Sequence, residues 1–234
     1  MLQETDYSGV SVIFTGFERE NTEMLFSMSD GQFWAFLVAI TLLTLSPGVD
    51  TLLVLRNSAR GGWRDGLVSS FGICSGLFVH AAISAVGISV ILLQSAWAFS
   101  MLKLLGAFYL VWLGIQSLRS LKQPSLDVSR VRSSRFNGWR SFREGLLSNV
   151  LNPKAVVFYM AFLPQFIDTA GSALGQSLVL AGIHFVIGMI WLSALTYLIH
   201  RARNWSFQSQ FERALQSVTG GVMIALGIKL AIDR

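Results

Sequence analysis

LSPGVDTLLVL, residues 45–55, closes an apolar stretch that begins at Phe33 and is long enough to cross a membrane. It carries a proline, a glycine and a carboxylate where lipid favours an unbroken helix. Serine followed by proline is the signature of a helix start: a side chain that caps, then a residue that needs no amide donor. The stretch therefore reads as one half-helix ending and a second beginning inside the membrane, with a plain proline kink as the alternative.

The surrounding composition places the chain in lipid. Of its 234 residues 53% are hydrophobic and 13% charged, against about a quarter charged in soluble domains. Six apolar runs, 33–55, 67–93, 96–118, 145–166, 174–200 and 215–232, are each close to the roughly twenty residues a helix needs to span a bilayer. Arg56, Arg60 and Arg64 follow the first run; Arg119, Lys122, Arg130, Arg132, Arg135, Arg140 and Arg143 follow the third; Arg201, Arg203 and Arg213 follow the fifth. The opposite side holds Arg19, Lys229 and Arg234. By the positive-inside rule the first set of loops is cytoplasmic and both termini lie outside. Trp34, Trp63, Trp97 and Trp139 stand at span ends, as interfacial anchors do. The net charge of +5 is confined to those loops and is not interleaved with aromatics, so nucleic acid is excluded as a partner.

The expected fold is an all-α membrane protein of six transmembrane helices in two inverted three-helix repeats, with the first and fourth helices broken at Pro47 and Pro153. Residues 1–28, with one basic and five acidic residues, do not form a signal peptide and are expected to be a disordered tail, with Met24 and Met28 as alternative starts. The transporter domain, 29–234, divides into repeat one (33–118), a basic cytoplasmic linker (119–142) and repeat two (143–232). Ser46-Pro47-Gly48 is echoed by Asn152-Pro153-Lys154, and WLGIQSL late in the third run by ALGIKLA late in the sixth. Each half makes an odd number of crossings, so the two copies face opposite ways, the inverted repeat of secondary transporters. Gly72 and Gly76, with Gly106, Gly114, Gly220, Gly221 and Gly227, suit close helix packing.

Among thirteen acidic residues Asp50 alone is read as lying well inside a span. A carboxylate there costs about 2.5–3.5 kcal/mol on insertion scales, so it normally faces a partner or a wet cavity. A shallow Asp reaching the interface near Arg56 is the structural alternative. Lys154, one residue past Pro153, is the second deep charge and would approach Asp50 if the repeat holds. Lys103 lies near a span end and snorkels. The half-helix starts at Ser46, Pro47 and Gly48 and at Asn152, Pro153 and Lys154 would present amide ends that suit a carboxylate, while Asp50 suits an ammonium group. The site expected is thus one for an α-amino acid. Asp50, His80 and His184 are the candidates for proton coupling, although a membrane histidine also serves as a hydrogen-bonded packing residue; His200 stands at a cytoplasmic end. Cys74 is the sole cysteine and reads as packing, so no intrachain disulfide forms and neither a metal site nor a cofactor is expected.

LSPGVDTLLVLRNSARGG resembles the first-helix motif of the LysE/RhtB family of bacterial amino-acid exporters, KLLGAFYLVWLG its third-helix motif, and GLLSNVLNPKAVVFYMAFLPQF its fourth-helix signature. The resemblance runs from Phe33 to Asp233. Val49 departs from it, standing where the family usually has a second proline, which implies a gentler break at Pro47; residues 1–28 have no counterpart. Membership implies a multi-pass inner-membrane protein that exports a small amino acid or derivative, of the homoserine, threonine, leucine or lysine type, driven by the proton gradient. Its partners would be that substrate, protons and the lipid bilayer, with a homodimer left open. A passive channel for small polar solutes is the nearer alternative. An intramembrane enzyme is the remoter one, because no HExxH, second deep carboxylate or nucleophile–base pair is present; no catalytic residue is assigned.

Overall fold

The computed structural model describes residues 30–94, 96–120, 135–168 and 171–201, and in the C-terminal segment 217–218, 220–221, 223–225, 227–228 and 231–232. All regular structure among them is helical: α1 (Asp30–Leu45), α2 (Val49–Gln94), α3 (Ala96–Ser120), α4 (Gly138–Val150), α5 (Pro153–Ala161), a 3-10 turn (Leu163–Phe166) and α6 (Ala173–Arg201). The tail 1–28, linker residues 121–134 and Lys229 lie outside the described residues. By length and apolarity Val49–Gly87 and Ala173–Leu198 can cross a membrane, and Gly138–Val150 with Pro153–Phe166, bent by 51°, is a third candidate span. α1 and the middle of α3 are shorter apolar helices.

The long α2 is not one rod. Gly61 and Gly62 leave helical geometry, Gly62 at φ 78°, where a side chain would be strained. Asn57 Nδ2 donates to Ser69 Oγ over 2.8 Å, yet twelve residues of straight helix would hold them about 18 Å apart. The chain therefore doubles back at the glycine pair, with residues 49–60 as a short arm and 63–94 as a long one. The long arm faces α4 with backbone in contact. A Cβ on Gly72 would run into Phe142, and one on Gly145 into Ser69. Gly114 and Gly220 make a second such seam between α3 and the C-terminal segment, where added Cβ atoms would meet carbonyls at 2.6 and 2.9 Å. This is the close approach that small residues permit in lipid.

Burial is inverted relative to a soluble protein. Phe108, Ile190 and Val86 are exposed at 71%, 66% and 66%, while Asn57, Asp65, Ser69, Ser141 and Ser177 are wholly buried. Apolar side chains outward and polar ones inward is the arrangement a lipid solvent dictates. An apolar core remains between α1, α5 and α6, where Phe36 meets Phe166 edge-on at 5.3 Å and Phe162 lies between Phe158 and Phe166.

The turn itself carries buried charge that composition does not announce. Arg60 and Asp65 flank it with side chains 8% and 1% exposed. Ser141 Oγ donates to Asp65 Oδ1 at 2.8 Å and accepts from Arg60 at 3.0 Å. Arg60 also pairs with Glu144 at 3.0 Å, and Glu144 takes further bonds from Arg56, Arg140 and Asn57. One boundary needs correcting as a result. The linker does not run to residue 142, because α4 starts at Gly138, capped by Asn137 Oδ1 accepting from Arg140 N–H. Its polar first turns belong to the buried ionic cluster, which hid the helix start among Arg and Ser residues.

Candidate functional site

Each proline removes one N–H, and the carbonyl four residues earlier loses its partner. For Pro47 that carbonyl is Leu43, and Lys154 Nζ donates to it at 2.8 Å and to Ser46 C=O at 2.9 Å. For Pro153 it is Asn149, whose C=O lies 2.9 Å from His80 Nε2. A carbonyl only accepts, so His80 carries its proton on Nε2. Leu43 is thus satisfied by a side chain from elsewhere in the fold, whereas Asn149 C=O accepts from Asn152 N–H at 2.9 Å in its own turn and from His80 besides.

The two breaks differ in how the helix resumes. Asn152 caps α5 as expected, its Oδ1 accepting from Lys154 N–H at 3.0 Å with Pro153 in the first turn. At the other break Ser46 stands just past the end of α1, its N–H bonded to Leu42 C=O, and the first bond of α2 runs from Leu52 N–H to Gly48 C=O at 3.0 Å. Gly48, rather than Ser46, opens the second half-helix.

Asp50 sits in the first turn of α2, where the amide end of the helix favours a negative charge. Ser148 Oγ donates to its Oδ1 at 2.7 Å, and Asn149 and Asn152 amides donate to Oδ2, both at 3.0 Å. Asp50 and Lys154 face the same cavity and form no direct ion pair. The break carbonyls took the ammonium first, because they had no other donor.

The cavity, of about 70 Å³, is walled by Asp50, Lys154, Asn149, Asn152, Cys74 and His184, with Ser46 and Gly48 of the first break. A second space of about 230 Å³ shares Ser46, Gly48, Asn152 and Lys154, includes Pro47 and Pro153, and extends to Tyr109, Trp112 and Gln116 of α3. All seven residues expected at a binding site therefore line one or both spaces. His184 joins them and His80 stands behind, at the second break. Thr44 Oγ1 donates to Ile40 C=O at 2.7 Å, so it accepts from His184 Nε2–H at 3.0 Å; Nδ1 then accepts from the Tyr159 hydroxyl at 3.0 Å. A neutral His184 is satisfied at both nitrogens. Ser148, Asn149, Thr44 and Tyr159 were missed from sequence, although SNVLN, a polar run inside an apolar helix, carried a signal.

A family model described as LysE type translocator matches residues 41–234. The chain belongs to the LysE-type translocators. It is 34% identical over 205 residues to the uncharacterized membrane protein YrhP of Bacillus subtilis, covering 85% of this chain and 98% of that protein. It is 32% identical over 204 residues to the homoserine/homoserine lactone efflux protein of Salmonella typhimurium, covering 87% and 98%, and 33% identical to the protein of the same name in Salmonella typhi, with the same coverage. No solved structure matches the chain. Family and helices together make it a multi-pass membrane translocator of the amino-acid export type.

Proposed function

We propose that this protein is an inner-membrane carrier that exports a small amino acid or amino-acid derivative of the homoserine type in exchange for protons. It would work by alternating access of two inverted three-helix repeats, with the basic linker in the cytoplasm and both termini outside. One observation carries the reading: the two broken helices present an anion and a cation, Asp50 and Lys154, to one small cavity, and neither is saturated. A carboxylate has about four acceptor sites, of which Asp50 uses three, and an ammonium has three donors, of which Lys154 uses two. A zwitterion supplies what both lack. The amide end at Gly48 to Thr51 adds donors for a carboxylate.

The Salmonella relatives' name joins homoserine with its lactone. Those two molecules share an α-ammonium group and differ at the carboxylate, which makes Asp50 the common anchor. Proteoliposomes loaded with unlabelled L-homoserine should accumulate external label by counterflow, and cells with the protein should tolerate higher homoserine than cells without it. Downhill efflux without counterflow would show a channel and refute the carrier.

A further inference from the structure

α1 ends with carbonyls turned toward the cavity rather than bonded within a helix, at the negative end of its dipole. Two of them, Leu43 and Ser46, converge on a single ammonium at 2.8 and 2.9 Å. Asp50 lines the same cavity and keeps one acceptor site on Oδ1. Two carbonyls and a carboxylate oxygen offer three acceptors, the number of donors an ammonium group carries.

We propose that these three acceptors are the seat of a substrate's ammonium group, that Lys154 fills the seat while the protein is empty, and that Lys154 thereby selects substrates that also carry a carboxylate. The proposal rests on the exporter reading above. A zwitterion taking over the carbonyls brings its own carboxylate for the displaced Lys154, so every charge keeps an opposite partner. A ligand with an ammonium group and no carboxylate displaces Lys154 with nothing in return, leaving two cations beside Asp50. The displaced side chain has room: Lys154 is half-buried, lines both spaces and has a flexible four-carbon stem. The other titratable groups on those walls are Cys74 from α2, Tyr109 from α3 and His184 from α6, so Asp50 is the carboxylate that faces it among the described residues.

Isothermal titration of the full-length protein in detergent with L-homoserine and with homoserine lactone tests this. Wild type should prefer the amino acid. Lys154→Met removes both the competitor for the carbonyls and the partner for the carboxylate, so the preference should fall about tenfold or more, and the lactone should bind more tightly than to wild type. A residue that merely props up the fold would not improve any ligand. Lys154→Arg, which keeps the charge, should retain the preference. Should Lys154→Met not accumulate, Lys154→Gln, whose neutral amide can still donate to Leu43 C=O but offers a substrate carboxylate no charge, should show the same fall in preference. Proportional loss of both ligands, or an unchanged preference, would overturn the proposal while leaving the exporter reading intact. Absence of homoserine counterflow in wild type would overturn both.

Discussion

Asp50→Asn removes a charge from the site and almost no volume. An asparagine oxygen in the place of Oδ2 still accepts from the Asn149 and Asn152 amides, and its NH2 in the place of Oδ1 meets Ser148 Oγ, a hydroxyl that can turn to accept. Three charge-assisted bonds become neutral ones, a loss of about 1 kcal/mol each and about 3 in all. Against this, the penalty for holding a carboxylate within the span, about 2.5–3.5 kcal/mol, disappears. The two nearly cancel. Since 1 kcal/mol moves the midpoint of a chain this size by about 2–4 °C, the melting temperature in detergent should stay within about 4 °C of wild type. Export should not. Losing the charged partner of the substrate's ammonium group removes about 1.5–3 kcal/mol, which lowers counterflow efficiency about tenfold to 150-fold. The assay is homoserine counterflow in proteoliposomes matched for protein content. Wild-type counterflow would place Asp50 outside the transport path. Lost counterflow accompanied by a fall in melting temperature well beyond 4 °C would show that its three bonds are structural.

Pro47→Ala should make Lys154→Met less harmful, by about 1 kcal/mol in a double-mutant cycle read by detergent melting, because Leu43 C=O regains a partner within its own helix; strictly additive effects would refute that cap. Asp65→Ala should destabilise by about 1–3 kcal/mol, because it strips the buried Ser141 Oγ of its acceptor and Arg60 of the farther of its two carboxylates, and a melting temperature equal to wild type would show that Asp65 is dispensable. Single cysteines in a Cys74→Ser background should be shielded at position 134 in intact cells and labelled at position 171 by an impermeant reagent, and the reverse pattern would invert the topology.

The sequence carried the breaks well because proline chemistry is local: a residue without an N–H interrupts a helix whatever surrounds it. Charge isolation likewise pointed to Asp50 and Lys154. What stayed hidden depended on distance along the chain. Nothing local reveals that Lys154 reaches Leu43, 111 residues away, or that His80 joins Asn152 N–H at the carbonyl of Asn149. The repeat implied that Asp50 and Lys154 would approach each other, but not that backbone carbonyls without donors compete for the ammonium group. The buried cluster of Arg60, Asp65 and Glu144 failed to show for a related reason. Arg and Asp around a Gly-Gly pair have the composition of a solvated loop, and only the hairpin at Gly61 and Gly62 turns them inward. The start of α4 was lost with it.

Asp50 takes its three bonds from residues that come 98 to 102 positions later in the chain. At synthesis rates of about 5–20 residues per second, those donors follow the carboxylate by roughly 5–20 s. The carbonyl of Leu43 waits as long for Lys154, while Asn149 finds His80 already made. During biosynthesis the first half therefore holds an uncompensated acid and an unpartnered carbonyl until the second half arrives, whereas the second half assembles onto a waiting donor. A truncated chain ending before Ser148 should be a poor resident of the bilayer and a ready substrate for membrane proteases, and supplying the second half as a separate polypeptide should rescue it.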